Sequence, residues 1–413
     1  MQAVISIPEL AGLVSERQAT ELLMRPVAGV PLLIRTVLTA ARAGASDVLL
    51  VVPAAMSARL LQKLLETISR QEVRVELVQI SEFDPQRRSS WIVLKRYLKD
   101  EFLWLPWNWV TTKNFVSQLP LVDIGSVDWS KAAYATVHEV NREGASSALP
   151  PRGVAVTSPE SAVAAERFLV VRSGKVLDGI HSSFNRRLCW PFVRLLSHTP
   201  VTPNAITFGG VVVSILSAIA FAQGTYSWSV LGAFLFYIAG LFDEMDGMLA
   251  RIKFAESPSG TWLEGVADGL SYLLLFGGVT VGLSRRYGHV AIWMGIALLI
   301  GSVLALIATS LQRRRATAPD RPNEYLGRFY QLLEKDSGNW ISRVVRQVQA
   351  FQRRGILIHY IVLFTVIGAL PLVFLLATLG AHLTWILTLY FNRRFFSKSS
   401  EVNPTVRKVK EAL

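Results

Sequence analysis

The sequence predicts a soluble α/β domain over residues 1–170 joined to an all-α membrane domain of six helices over 205–392. A juxtamembrane amphipathic segment at 171–204 links them, and a basic tail at 393–413 follows. Three observations carry this reading. Short apolar runs alternate with helical periodicity over the first 80 residues. Six apolar stretches near the length needed to cross hydrocarbon follow residue 204. Basic clusters sit beside those stretches, as in Arg313-Arg314-Arg315, Arg353-Arg354 and Arg393-Arg394.

In the first part, Ala3 to Ile7 reads as a buried strand, 31–44 as a helix, and Asp47 to Pro53 as a second buried strand. Helical periodicity over 54–70 and an alternating strand from Val73 to Ile80 follow. Strands spaced by helices of this length specify a parallel sheet. A helix at 89–101, an apolar strand at Phe102 to Leu105 and a polar loop near 141–152 with Pro150-Pro151 complete the domain. In the juxtamembrane segment, Asn185-Arg186-Arg187 and Trp190 to Leu196 suggest an interfacial amphipathic helix, although a plain linker helix fits equally well.

The six spans fall at 205–223, 228–249, 261–283, 289–311, 355–372 and 373–392, with Pro371 marking the turn between the last two. The basic stretch 313–354 and the basic tail place those segments in the cytoplasm, against the dissent of Arg285 and Arg286. The opening MQAVISIPEL lacks the basic and apolar regions of a secretory signal, so the N-terminal part is expected in the cytoplasm too. The formal net charge of +13 fits juxtamembrane anchoring to membrane lipids. No zinc-type spacing or aromatic-interleaved basic repeat points to nucleic acid. The single cysteine, Cys189, excludes an internal disulfide framework.

The chemistry concentrates where spans two and three face each other. Asp243 and Asp246 are three residues apart, and Glu264 and Asp268 four apart, so each pair shares a helix face. A nine-residue connection, 252–260, makes the two helices antiparallel neighbours. Clustered carboxylates in a membrane domain repel one another and resist desolvation. With no His or Cys beside them, hard divalent cations, Mg²⁺ or Mn²⁺, are the natural compensation. Gly247 and Ala250 remove bulk beside the acids, and Arg251 can pair with a phosphate or with the cluster itself. A transporter that couples cations through the same acids is the rival reading.

The run Asp243, Asp246, Gly247, Ala250, Arg251, Gly260 and Asp268 resembles the signature of the CDP-alcohol phosphotransferase family, D-x-x-D-G-x-x-A-R, eight residues, G-x-x-x-D-x-x-x-D. Glu264 stands where that family has its third Asp. Thr202-Pro203-Asn204-Ala205-Ile206-Thr207 resembles the segment that opens the family's first span, and the likeness covers roughly 175–392. The resemblance implies two Mg²⁺ or Mn²⁺ ions held by Asp243, Asp246 and Glu264 with Asp268 near them. It implies Asp268 as general base on an alcohol hydroxyl, and a CDP moiety bound by Asn204, Asp243, Gly247, Ala250, Arg251 and Gly260. CMP would leave, a phosphatidyl-type or phosphopolyol group would be transferred, and the protein would form a homodimer. Arg313, Arg314 and His359 are weaker candidates for contact with an alcohol or polyol-phosphate acceptor, with lipid contact or packing as the plainer roles. Glu264 also leaves room for a catalytically impaired scaffold of the same family.

Residues 22–53, with Pro26 to Leu33, resemble a nucleotidyltransferase, as fused to this membrane domain in bifunctional inositol phosphate cytidylyltransferase and di-myo-inositol phosphate phosphate synthase proteins. Gly174 to Gly179 looks like the junction in those fusions. An active enzyme of that kind needs a Gly-rich phosphate loop after the first strand. Here Pro8 to Leu13 offers one glycine, and no Asp occupies Leu105 to Asn108, where a metal ligand is expected. The domain therefore reads as degenerate.

Overall fold

A computed structural model describes residues 1–7, 21–54, 56, 62, 66, 73–81, 83, 91, 93–99, 101–119, 121–123, 153–172, 180–316, 325–336, 338–348 and 354–396. The Pro8 to Leu13 loop, most of the 54–70 helix, the 141–152 loop, the 174–179 junction and the tail beyond 396 lie outside the described residues. The described residues divide into two compact units. The first comprises 1–178, 183–203 and 247–256; the second comprises 179–182, 204–246 and 257–413.

The first unit is built on a five-stranded sheet. Strands β1 (Gln2–Ser6), β4 (Asp47–Pro53), β5 (Arg74–Ile80), β6 (Glu101–Pro106) and β8 (Val122–Asp123) lie in the order β5-β4-β1-β6-β8. All neighbouring pairs run parallel except β6 with β8. The apolar runs expected as strands are thus strands, shifted by a residue at most at their starts. β1 is buried along its whole length, as a central parallel strand covered on both faces must be. Val4, Leu49, Val51, Phe102 and Trp104 meet Trp91 and Leu94 in one core, where Trp91 stacks on Phe102 at 5.4 Å.

Between β1 and β4 run a two-residue hairpin, β2 (Pro26–Val27) with β3 (Val30–Pro31), and helix α1 (Leu32–Arg42). Gly44, at φ +109°, ends α1; Gly44 N–H reaches Ala41 O and Ala45 N–H reaches Ala40 O, closing its last carbonyls. Of the helix expected at 89–101, the described residues include a closing 3₁₀ turn, Lys95–Tyr97. A second pair, β7 (Trp109–Thr111) with β9 (Gly153–Ala155), precedes α2 (Pro159–Arg172).

Helix α3 (Ile180–Ser197) follows. Phe184, Leu188, Phe192 and Leu195 expose an apolar stripe at helical spacing, while Asn185, Arg186, Cys189 and Val193 are buried. That division makes α3 amphipathic.

The second unit holds α4 (Pro203–Ala222), most of α5 (Tyr226–Ile252), α6 (Pro258–Tyr287), α7 (His289–Ala316), α8 (Tyr325–Lys335), α9 (Trp340–Val348), α10 (Arg354–Val366) and α11 (Leu370–Phe391). Among the described residues, five helices are long and apolar enough to cross a membrane: α4, α5, α6, α7 and α11. The span expected at 355–372 differs. Among the described residues α10 has 13 residues, about 20 Å of helix, short of a 30 Å hydrocarbon core. Its end is set by Gly368 at φ +78°, with Gly368 N–H on Thr365 O and Ala369 N–H on Phe364 O. Pro371 therefore lies in the first turn of α11 rather than in the turn itself, where its missing N–H leaves no helical bond unmade. Phe221, Phe236, Leu275, Leu298, Ile358 and Phe374 form the bundle core, so α10 packs inside it. Large apolar side chains such as Phe208, Leu306 and Leu379 point outward, as lipid-facing residues do. The chain is an integral membrane protein.

Glycine lets α4 and α6 touch backbone to backbone. A Cβ on Gly278 would stand 2.4 Å from Ala218 O, and one on Gly282 2.1 Å from Phe221 O. Two glycines four residues apart on one face are the usual device for such an approach in a bilayer.

Candidate functional site

Of the expected site residues, Asn204, Asp243, Asp246, Gly260, Glu264 and Asp268 fall in the second unit, on α4, α5 and α6. α6 begins earlier than expected: Ser257 caps it, its Oγ accepting from Gly260 N–H at 3.0 Å, and Pro258 takes the first turn. The connection from α5 is thus Lys253–Ser257, shorter than the 252–260 expected, and Phe254 turns it at φ +56°. Gly260 falls inside the first turn of α6. A Cβ there would lie 3.0 Å from Ser257 Oγ and 3.5 Å from Asn204 Oδ1, at the start of α4. Asn204 and Gly260, 56 residues apart in the sequence, are neighbours.

Asp246 is 3% exposed. Its Oδ2 accepts a short hydrogen bond from Thr207 Oγ1, one turn into α4. Thr207 stands in the motif that opens the first span, yet its role was not legible there, because the partner lies 39 residues away. Further along, Ser214 Oγ meets Ser271 Oγ at 2.9 Å, tying α4 to α6. Asp243, Glu264 and Asp268 are half-buried. Because Asp243 and Asp246 share one face of α5, and Glu264 and Asp268 one face of α6, the carboxylates line the cytoplasm-predicted ends of both helices.

A metal fits the chemistry of this donor set, which is all oxygen and acidic. Among the described residues, however, no group of three or more His, Cys, Asp or Glu is drawn closely enough to hold an ion by itself. For Mg²⁺ that is an ordinary arrangement, since it is commonly held by one or two carboxylates together with substrate phosphates rather than by an all-protein cage.

The last turn of α5 belongs to the first unit. There the Arg251 guanidinium folds back over Gly247, 3.1 Å from where a Cβ would sit, and Arg251 Nε has no hydrogen-bond partner among the described residues. A buried guanidinium nitrogen in that condition suits an anionic ligand such as a phosphate. Ala250 lies in the same turn.

The weaker acceptor candidates separate. His359 on α10 meets Tyr237 of α5 edge to face at 5.2 Å, six residues and about 9 Å along the helix from Asp243. Arg313 and Arg314 are exposed in the last turn of α7. In the first unit, the position expected to carry a metal ligand after β6 serves structure: Asn108 Nδ2 donates to Val156 O, and Val156 N–H to Asn108 O.

Carboxylate pairs thus stand on two consecutive helices of the bundle, and a glycine and an asparagine approach each other beside them. Residues 200–390, a little under half of the chain, match the family model described as CDP-alcohol phosphatidyltransferase. The chain is also 25% identical over 237 residues to a protein of Aquifex aeolicus (strain VF5) named bifunctional IPC transferase and DIPP synthase. That likeness takes in 57% of this chain and 49% of the relative, so the chain spans about half the relative's length.

Proposed function

We propose that this protein transfers a phosphatidyl-type or phosphopolyol group from a CDP-linked donor to an alcohol acceptor. The observation that carries the reading is the meeting of α4 with its neighbours: buried Asp246 bonded to Thr207, and Gly260 against Asn204. The acceptor hydroxyl gives its proton to the Asp268 carboxylate as its oxygen attacks the β-phosphorus of the donor. The bond from that phosphorus to the bridging oxygen breaks, and CMP leaves with the electron pair. Gly247, Ala250, Arg251, Gly260 and Asn204 bind the CDP moiety. Asp243, Asp246 and Glu264 would hold Mg²⁺ or Mn²⁺, which neutralises the diphosphate. Thr207 fixes one oxygen of Asp246. The basic stretch after α7 supports a cytoplasmic side for the soluble unit, the site and the C-terminus, and on this reading the soluble unit is a degenerate nucleotidyltransferase.

Purified protein in detergent, given Mn²⁺ and a panel of lipid and soluble CDP-alcohols, is expected to release CMP. Uptake of cations by proteoliposomes without CMP release would favour the transporter reading instead. Glu264→Asp is expected to leave CMP release within about threefold of the native rate, because flexible oxygen sites tolerate one methylene. CMP release by Glu264→Asp alone would show that the native glutamate has disabled the site. Thr207→Val keeps the side-chain shape and removes the donor to Asp246. It is expected to slow CMP release about tenfold, the scale of a lost hydrogen bond to a charged group, with little change in thermal midpoint.

A further inference from the structure

We propose that Arg35, on the soluble unit's helix α1, is a positioning residue for the CDP-binding turn at the end of α5; the inference rests on the function proposed above. Arg35 is 2% exposed, a fully interior guanidinium. Its Nη2 donates to Val27 O at 2.7 Å and to Ile252 O at 2.8 Å, and its Nε donates to Val27 O at 3.1 Å. The ring of Phe254 lies 5.2 Å from the guanidinium carbon. Burial lowers the Arg35 pKa to about 9, against the opposing pull of Glu166, so the group remains charged at neutral pH.

Ile252 is the last residue of α5. Its carbonyl is among those a helix leaves without an internal partner, at the negative end of the helix dipole. Nearby carbonyls find backbone donors, Leu249 O from Lys253 N–H and Ala250 O from Ala255 N–H, each at 2.9 Å. Ile252 O is held by Arg35. Arg251 is the adjacent residue, and Gly247 and Ala250 share its turn, so the angle at which α5 ends fixes where that turn presents its groups.

Arg35 is itself held from behind. Glu166, 4% exposed on α2, accepts from Ala28 N–H at 2.9 Å and from Arg194 Nε at 2.9 Å, with His198 Nε2 at 2.8 Å. The Val27-Ala28 peptide is thereby gripped through its carbonyl by Arg35 and through its N–H by Glu166. Gly29, at φ +77°, packs where a Cβ would meet Ser197 O at 1.9 Å, so this segment has no slack. Outer contacts add to the grip: Lys253 Nζ donates to Thr199 O and Val201 O, and Arg42 and Lys113 pair with Glu256. A core helix needs no charge at position 35, and an apolar side chain would fill the same space at lower desolvation cost. Reach to a carbonyl 217 residues away is what the guanidinium provides.

The test uses the full chain in detergent, with Arg35→Met, Arg35→Lys and Arg42→Ala. Two quantities are measured: affinity for CDP with MnCl₂ by titration calorimetry, and amide exchange. Arg35→Met is expected to weaken CDP binding about tenfold and to speed exchange over 247–256 while β1, β4 and β6 stay protected. Arg35→Lys, reduced to a point donor, is expected to fall between, about threefold weaker. Arg42→Ala, which removes an exposed pair with Glu256 and a 3.3 Å hydrogen bond to Phe254 O, is expected to weaken binding less than Arg35→Lys does, by no more than about twofold. Unchanged affinity and exchange in Arg35→Met overturns the proposal, as does faster exchange spread evenly through the sheet. Should Arg35→Met fail to accumulate, Arg35→Lys decides: a loss confined to 247–256 supports the proposal and native behaviour overturns it. If the native protein binds no CDP, the proposed function fails while the exchange pattern alone judges Arg35.

Discussion

Asp268→Asn is expected to lower CMP release by about 10²- to 10⁴-fold, the range that a positioned general base contributes. The substitution keeps the side chain's size and one acceptor oxygen, and removes the capacity to take a proton. Asp268 stands one helical turn after Glu264 on the same face of α6, half-buried, so a proton accepted there is shielded from bulk water without being sealed from it. CDP binding in the presence of Mn²⁺ should persist in this variant, because Asn204, Gly260 and Arg251 are untouched. The rate measured under saturating donor and the CDP affinity measured by titration together separate the two roles. A variant that retains turnover would remove Asp268 from the chemistry and move the base to another side chain. Lost CDP affinity with lost turnover would instead make Asp268 a binding residue.

The other large effect is expected in the bundle rather than at the acids. Gly282→Leu should destabilise the membrane unit by roughly 3 kcal/mol or more, as overpacking of a tight interface does. A Cβ at position 282 would stand 2.1 Å from Phe221 O, and backbone cannot yield as a flexible side chain can. In lipid, helix association depends on packing, since apolar side chains gain little by leaving an apolar solvent. Forcing α4 from α6 at this point therefore removes much of what holds them. The displacement propagates along rigid helices to Asn204 and Gly260, so activity should fall together with the thermal midpoint in detergent. A control at Gly277, where an added Cβ meets nothing within 4 Å, should leave the midpoint unchanged on substitution to Ala. Equal midpoints for Gly282→Leu and the native protein would show that the two helices do not depend on this approach.

Much of this was visible in the residues themselves, for identifiable reasons. The strand at 47–53 is a continuous apolar run ended by proline, and burial on both faces of a parallel sheet requires that pattern. The long spans were legible because hydrocarbon demands uninterrupted apolar length. The carboxylate motif was legible because its spacing lies within two helices and needs no partner to be read. The fifth span was misjudged through Pro371: a proline signals a boundary, but it is equally at home in a helix's first turn, and Gly368 had already ended α10. The start of α6 was misplaced for a similar reason, since Ser257 and Pro258 form a local cap ahead of the motif glycine.

The sequence alone determined which residues can do chemistry and on which helix faces they stand, because helical and strand periodicity are properties of short stretches. Only the tertiary structure decided that Thr207 holds Asp246, that Asn204 stands against Gly260, and that Arg35 reaches Ile252 O across 217 residues. Each of these depends on distant segments meeting within a few ångströms. Packing of whole helices and sheets sets that meeting, and no local pattern encodes it.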